Sequence, residues 1–186
     1  GGNHTDLIDT EMYSGVVSID TVRLVTLVGV LNGLSCIATD ISVAYLHGRT
    51  REKVYTVAGP EFGPDIAGRM MIIEKALYGL RTSAARWHEV LSDTLRQMGW
   101  SPSYADPNVW IKDIGTHYEY ICTWVDDLLI FSKNPMDIIR TLEKRYTLKG
   151  TGVPEYYLGG NIEEIEWAGA PNNKTLAWSA KTYITN

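Results

Sequence analysis

Some stretches of the chain space their apolar residues as a helix does, and others are short apolar runs typical of strands. This pattern predicts a protein built from both helices and strands. Apolar residues recur every three or four positions in two long stretches, and an Asn-Pro pair opens a third stretch suited to a helix. The predicted helices span residues 19–32, 82–98 and 134–145. Ser18 or Asp20 is a candidate N-cap of the first helix, and Asn32-Gly33 marks its predicted end.

Short apolar runs between turn residues predict the strands. These runs occupy residues 35–41, 54–58, 69–74, 109–112, 156–164 and 175–178. A longer stretch, residues 118–131, is interrupted by two adjacent aspartates, and it predicts a β-hairpin because aspartate is favoured in turns and depleted in strand interiors. Helices interleaved with hairpin strands indicate an α+β fold, in which helices pack on one face of an antiparallel or mixed sheet.

Composition limits the classes to which the chain can belong. With 186 residues, of which 45% are hydrophobic, it can build the core of one domain, which we expect to span residues 1–186. No apolar run approaches the roughly 20 residues of a membrane-spanning helix, so no membrane partner is expected. Cys36 and Cys122 form neither a zinc pattern nor a disulfide framework, which favours a reducing compartment. The start at Gly1-Gly2, without an initiator methionine, indicates a piece of a longer protein.

The net charge argues against nucleic-acid binding. The formal charge is −5, whereas proteins that bind nucleic acid normally neutralise phosphates with lysine and arginine. Part of this negative balance comes from candidate catalytic aspartates, and the cations are locally clustered. The clusters are Lys75, Arg81 and Arg86, and then Lys133, Arg140, Lys144, Arg145 and Lys149. Solvated helix faces produce the same pattern, so both interpretations are open.

Three aspartates supply the candidate chemistry. Asp126 and Asp127 occupy the predicted hairpin turn, and Asp40 ends the predicted strand 35–41. If the two strands are neighbours, all three carboxylates share one edge of a sheet, which is the arrangement that two divalent cations require for phosphoryl transfer. Aspartate-rich turns are also common in proteins that bind no metal, so the spacing alone leaves a purely structural role open.

Four short segments resemble, in their order along the chain, the reverse transcriptases of copia-type LTR retrotransposons. They are Asp40-Ile-Ser-Val-Ala-Tyr45, Lys75-Ala-Leu-Tyr-Gly-Leu-Arg81 with the following Ala85-Arg86-Trp87, Trp124-Val-Asp-Asp127, and Tyr156-Tyr-Leu-Gly-Gly-Asn-Ile162. The resemblance covers nearly the whole chain, and residues 181–184 are similar to the start of the family's next subdomain. It implies the palm of a right-hand polymerase with part of the fingers, truncated at both ends.

The resemblance implies an RNA-directed DNA polymerase. Asp40, Asp126 and Asp127 match the family's catalytic carboxylates, which bind two Mg²⁺ ions, with Mn²⁺ as an alternative. The implied reaction transfers a deoxynucleoside monophosphate to the 3′-hydroxyl of a primer. A cyclase of nucleoside triphosphates also uses carboxylates at a hairpin and is a rival hypothesis, although the segments at Leu77 and Trp124 fit it poorly.

The resemblance also implies which residues bind substrate. Tyr45 matches the aromatic residue that excludes a 2′-hydroxyl on the incoming sugar. Gly79 and Arg81 match the segment that supports the template and the incoming base, and Trp124 lies near the primer terminus. The turn at residues 158–160 resembles the one that holds the primer end. Four of these features have a structural alternative: Tyr45 as a packing aromatic, Gly79 as a loop glycine, Arg81 as a surface cation and the turn as an ordinary hairpin.

The implied partners are an RNA or DNA template with its primer, dNTPs, and the rest of the Pol polyprotein, namely its RNase H, integrase and protease regions. The implied location is the cytoplasm, in a virus-like particle. The chain departs from the family at Trp124, where tyrosine is usual. This departure, together with the missing upstream fingers and thumb, keeps a second hypothesis open. In it, the chain is a catalytically dead or truncated palm that only binds nucleic acid or a partner.

Overall fold

The computed structural model describes residues 15–169 and 174–181, so the predicted further element at residues 181–184 lies largely outside the described residues. The helices are α1 (Ile19–Leu31), α2 (Ser83–Gln97) and α3 (Pro135–Glu143), with short 3-10 turns at Ala44–His47 and Pro60–Phe62. The strands are β1 (Ser35–Ile41), β2 (Arg49–Val57), β3 (Met70–Lys75), β4 (Ser101–Pro102), β5 (Val109–Asp113), β6 (Tyr118–Trp124), β7 (Asp127–Ser132), β8 (Leu148–Gly152), β9 (Tyr156–Tyr157), β10 (Gly160–Glu166) and β11 (Lys174–Ser179). None of the helices in the described ranges is long and apolar enough to cross a membrane.

The strands form three antiparallel sheets, which confirms a fold that mixes helices with antiparallel sheets. The central sheet has the order β4-β5-β6-β7-β1-β8, and two smaller sheets have the orders β11-β10-β9 and β2-β3. The chain divides into two compact units. Among the described residues, the first unit is Val43–Thr94 and contains β2 and β3. The second is Gly15–Ser42 with the residues from Leu95 onward, and it contains the other two sheets.

The first helix begins and ends where the sequence predicts. The N–H of Thr21 donates to Ser18 Oγ at 3.1 Å, so Ser18 is the N-cap. The C-cap is Asn32, and Gly33 follows with a φ angle of 63°, a left-handed conformation that glycine adopts without steric cost. These local contacts confirm the predicted start and stop signals.

Both faces of the central sheet are covered, which corrects the prediction that helices pack on one face only. The four consecutive residues Leu128 to Phe131 of β7 have no exposed surface, and successive side chains of a strand point to opposite faces. On one face, Leu129 and Phe131 belong to a core cluster with Val22 and Val25 of α1. Helix α3 contacts β1 and β7, and none of its buried side chains belongs to that cluster. We infer that α3 covers the second face, as an apolar run without alternation indicates.

The structure corrects two strand predictions and adds two strands that the sequence does not predict. Residues 156–164 form the hairpin of β9 and β10 and not a single strand, because Leu158 and Gly159 reverse the chain with positive φ angles. Strand β2 begins at Arg49, well before the predicted start at residue 54. The sequence predicts neither β4 nor β8. Strand β8 contains two glycines and a lysine, which strands disfavour, and it exists through its pairing with β1.

Candidate active site

The end of β1 and the start of β7 bring two of the predicted aspartates face to face. Asp40 and Asp127 occupy directly opposite positions in the antiparallel pair formed by these strands. The N–H of Ile41 donates to the carbonyl of Asp126 at 2.9 Å. Because this bond joins residues that flank the two aspartates, Asp40 and Asp127 form a non-hydrogen-bonded pair, in which the Cα atoms lie only about 4.5 Å apart. The two strands are therefore neighbours, as a shared carboxylate site requires.

The third aspartate lies in the tight turn of the β6–β7 hairpin. Trp124 pairs with Asp127, so the turn consists of Val125 and Asp126, and Asp127 is the first strand residue instead of a turn residue as predicted. Val125 has a φ angle of 54°, which costs a β-branched residue roughly 1–3 kcal/mol. A positive φ at the first central residue is the pattern of a type II′ turn, whose twist suits a hairpin. The strained turn places Asp126 next to the aspartate pair.

The three carboxylates repel one another. Burial raises the pKa of Asp127, and the charges of Asp126 and Asp40 raise it further. Burial also raises the pKa of Asp40, as does Asp126, whereas Lys149 lowers it. Lys149 lies opposite Asp40 on β8. Carboxylates that are held together against their mutual repulsion are typical of functional sites, because the arrangement opposes folding and must be retained for another reason.

A cavity of about 580 Å³ adjoins the carboxylates within the second unit. Its lining includes Asp40, Trp124, Asp127 and Lys149, together with the turn residues Leu158 and Gly159. Trp124 is partly exposed beside Asp127. The structure thus brings three of the four sequence motifs to one cavity, namely the strand that ends at Asp40, the hairpin motif and the segment that begins at Tyr156.

Two cavity residues have no individual role in the sequence-based prediction. Lys149 belongs to one of the predicted cation clusters, but the strand that carries it has no sequence signal, so its position opposite Asp40 could not be inferred. Tyr157 is buried, its hydroxyl has no hydrogen-bond partner within the described ranges, and burial raises its pKa well above the usual value. Nothing in the sequence distinguishes it from its exposed neighbour Tyr156.

The chemistry of this edge fits a hard divalent cation. Among the described residues, no three His, Cys, Asp or Glu side chains already surround a single metal position. Mg²⁺ does not need such a cage, because it keeps several waters and is usually bound by one or two carboxylates together with substrate phosphates. Asp40 and Asp127 supply paired oxygen ligands, and Asp126 adds negative charge beside them. The donor set therefore suits Mg²⁺ or Mn²⁺.

The first unit places Tyr45 against the segment that carries Gly79 and Arg81. The ring of Tyr45 packs against the ring of Tyr78, with centroids 4.4 Å apart and planes inclined by 48°. Gly79 follows with a φ angle of 90°, and a Cβ at this position would meet no atom within 4 Å. Glycine is favoured there by its backbone conformation, and the space around it is open. Arg81 is exposed on the same segment.

Comparison with known proteins identifies the family. Residues 2–178 match the family model described as reverse transcriptase (RNA-dependent DNA polymerase). The match covers nearly the whole chain and includes the aspartate pair, the hairpin and the cavity. The chain belongs to the reverse transcriptase family.

Similarity to individual proteins narrows this class. The chain is 30% identical over 156 residues to the truncated transposon Ty1-A Gag-Pol polyprotein of Saccharomyces cerevisiae, and the alignment covers 78% of the chain and 12% of that protein. It is 27% identical over 159 residues to the retrovirus-related Pol polyprotein from transposon TNT 1-94 of Nicotiana tabacum, over 82% of the chain and 12% of the relative. The chain is a reverse transcriptase domain of the copia-type Pol polyproteins, and it spans 12% of the length of these relatives.

Proposed function

We propose that the chain is the catalytic part of an RNA-directed DNA polymerase, a palm with part of the fingers, within a larger Pol polyprotein. The observation that carries this proposal is the narrow pair of Asp40 and Asp127, with Asp126 in the adjoining turn, beside a cavity. Membership of the reverse transcriptase family favours this reaction over other phosphoryl transfers that use carboxylates.

In this proposal the domain comprises residues 1–186, and its substrates are a template-primer and dNTPs. The RNase H, integrase and protease regions are its neighbours in the polyprotein, and it acts in cytoplasmic virus-like particles. The similarity to Gag-Pol and Pol polyproteins supports these partners.

The proposed reaction joins a dNTP to the 3′-hydroxyl of a primer and releases pyrophosphate. Two bound Mg²⁺ ions would supply Lewis acidity and neutralise charge on the phosphates. Asp40, Asp126 and Asp127 would hold them. Lys149, opposite Asp40, places a positive charge at the same edge, which favours the approach of a triphosphate. The turn at residues 158–159 and Trp124 would bound the position of the primer end.

Primer extension on an RNA template tests the function directly. The chain should extend a labelled primer with dNTPs and Mg²⁺, and Asp126→Ala should lower the rate by roughly 10²–10³-fold or more, the scale expected when a key electrostatic group is removed. Asp65→Ala, at an exposed position of the first unit, is the matched control and should extend normally. Extension that persists in Asp126→Ala would refute the assigned site.

Sugar selection tests the role of Tyr45. If its ring excludes the 2′-hydroxyl, Tyr45→Ala should incorporate ribonucleotides more readily, with a loss of discrimination of roughly 10–100-fold, the range typical of a small steric feature of a pocket. The measurement is the ratio of kcat/KM for dNTP and rNTP incorporation. Tyr104→Ala, at a fully exposed position, serves as the control. An unchanged ratio in Tyr45→Ala would remove Tyr45 from this role.

The second candidate function is binding without catalysis. Trp124 favours it, because this side chain borders the cavity and pairs with Asp127 at a position where the family usually has tyrosine. An indole is larger than a phenol and lacks its hydroxyl. Binding of the template-primer with no extension by the unmodified chain would support this alternative.

A further inference from the structure

A buried carboxylate lies on the face of the central sheet opposite to α1. Tyr120 of β6 pairs with Phe131 and packs against the core cluster that includes α1, so its neighbour Glu119 points to the other face. Glu119 is only 8% exposed. It contacts Ser132, the last residue of β7, whereas Asp127 is the first residue of that strand. Glu119 therefore lies apart from the aspartate site.

The contacts of Glu119 converge on one of its two oxygens. Ser132 Oγ donates to Oε1 at 2.5 Å, and the N–H of Lys133 donates to the same atom at 3.1 Å. His117 Nε2 lies 3.5 Å from Oε1, and this contact is an ion pair only when the histidine is protonated. Oε2 accepts no hydrogen bond from the described residues. Because a buried charge is costly unless it is paired, the second oxygen suits a cation from outside the chain.

The cation that faces Glu119 across the strand pair is engaged elsewhere. Lys112 of β5 is the direct partner of Glu119 in β6, so the two side chains share one face of the sheet. Lys112 Nζ nevertheless donates to the carbonyl of Met98 at 2.8 Å, and it lies 5.8 Å from the centroid of the Trp100 ring, within the range of a cation–π contact. Within the described ranges no ion pair joins Lys112 to Glu119, so the strand pairing does not neutralise the carboxylate.

A cavity of about 410 Å³ adjoins Glu119 within the second unit. Its apolar lining residues are Met98, Trp100, Ile114 and Ile138. Its charged lining residues are Glu119, Asp137 and Lys112, which together carry one net negative charge. Asp137 already has an exposed ion pair with Arg140, so Glu119 is the carboxylate available to a ligand. Small-molecule sites have volumes of roughly 300–1,000 Å³, so this cavity suits a small ligand.

We propose that this cavity, the Glu119 cavity, binds a small primary amine, whose ammonium group donates to Oε2 of Glu119 and whose apolar body packs against the apolar lining. One positive charge balances the net charge of the lining. A hydrogen bond between an ammonium and a carboxylate is among the stronger ones, and it is stronger still where water is largely excluded. The apolar lining favours an organic cation over Mg²⁺, which retains several of its waters. Amine binding at this site is independent of the proposed polymerase activity.

The test compares n-hexylamine with n-hexanol, a ligand of similar shape without the charge, by isothermal titration of the chain. At about pH 8, where histidine is ordinarily neutral and an alkylamine is charged, hexylamine should bind roughly 10- to 100-fold more tightly, as expected of a hydrogen bond between charged groups. Glu119→Gln keeps the shape of the side chain and an acceptor for Ser132 and Lys133. This variant should lose the preference for hexylamine and bind hexanol as the unmodified chain does.

A control variant and a second measurement make the test independent of the folding of Glu119→Gln. Glu143→Gln, at an exposed position of α3, changes the net charge equally and should leave both affinities unchanged. In the unmodified chain, hexylamine should shift the amide signal of Lys133 in a heteronuclear NMR spectrum more than hexanol does, because this N–H donates to Glu119. Equal affinities for the two ligands, equal losses in the two variants, or a Lys133 signal that saturating hexylamine does not move would each overturn the proposal.

Discussion

Replacing Asp127 with asparagine is expected to lower nucleotide incorporation strongly and, in the same variant, to raise the thermal stability of the chain. Incorporation should fall by roughly 10³-fold, because the amide removes one carboxylate ligand of the proposed site. The melting temperature should rise by roughly 1–4 °C, which corresponds to about 0.5–1 kcal/mol for a chain of this size. Primer extension and calorimetry on the same preparation provide the two measurements.

The loss of incorporation and the gain in thermal stability have a single physical cause. Asp127 faces Asp40 in the narrow type of strand pair and lies next to Asp126. Burial and these two neighbours raise its pKa, so the folded chain holds the proton more tightly than the unfolded chain does. At neutral pH the ionised carboxylate therefore opposes folding, and an uncharged amide of the same shape does not. Asp127 is only partly buried, so solvent screening keeps the gain small.

The outcome separates a functional aspartate from a structural one. Asp65→Asn, at an exposed position, should change neither stability nor incorporation and serves as the control. A loss of stability in Asp127→Asn would mean that the carboxylate supports the fold through contacts that the amide cannot make. Active sites that require an unfavourable arrangement of charges commonly lower the stability of the protein in return for activity.

Adding a side chain at Gly29 is expected to give the largest loss of stability among single substitutions in α1. Gly29 is buried in α1, and a Cβ built there would lie 2.6 Å from Cδ1 of Phe131 on β7. Phe131 has no exposed surface, so its ring has no space to retreat. We expect Gly29→Ala to lower the free energy of unfolding by about 1 kcal/mol, even though alanine favours helix, and Gly29→Val to lower it by about 3 kcal/mol. Urea denaturation measures both values.

A double-mutant cycle identifies the contact as the cause. Phe131→Leu should destabilise the chain by itself, yet the penalty of Gly29→Ala should shrink by about 0.5–1 kcal/mol in its presence, because the ring that clashes is gone. Gly152→Ala is the control, since a Cβ there would meet no atom within 4 Å. Additive effects of Gly29→Ala and Phe131→Leu would contradict close packing of α1 on β7.

Local signals account for the elements that the sequence predicts well. The Ser18 cap and the Asn32-Gly33 stop bound α1 in the structure as predicted. The hairpin of β6 and β7 is correct as well, because two apolar strands around a pair of aspartates encode a reversal within a few residues. The position of Asp127 at the start of β7 differs from the prediction by one residue, since adjacent aspartates do not indicate which of them occupies the turn.

Pairing between distant segments accounts for what the sequence does not predict. Strand β8 has an unfavourable composition and exists through its hydrogen bonds to β1, which is more than 100 residues earlier in the chain. The coverage of both sheet faces depends on where α1 and α3 pack, although the unbroken apolar run of β7 carries a signal for it. The apolar pattern of residues 156–164 predicts one strand, although the family resemblance implies a turn at residues 158–160, and the positive φ angles of Leu158 and Gly159 show that the segment is a hairpin.

By itself, the sequence determined the family, the α+β class and the identity of the candidate carboxylates, because these depend on residue types in a fixed order. The tertiary structure decided that Asp40 and Asp127 are direct partners in a narrow pair, that Lys149 lies opposite Asp40, and that a cavity adjoins them. The physical reason is that strand register and packing depend on interactions between residues that are distant in the chain, whereas caps and turns depend on residues within a few positions of one another.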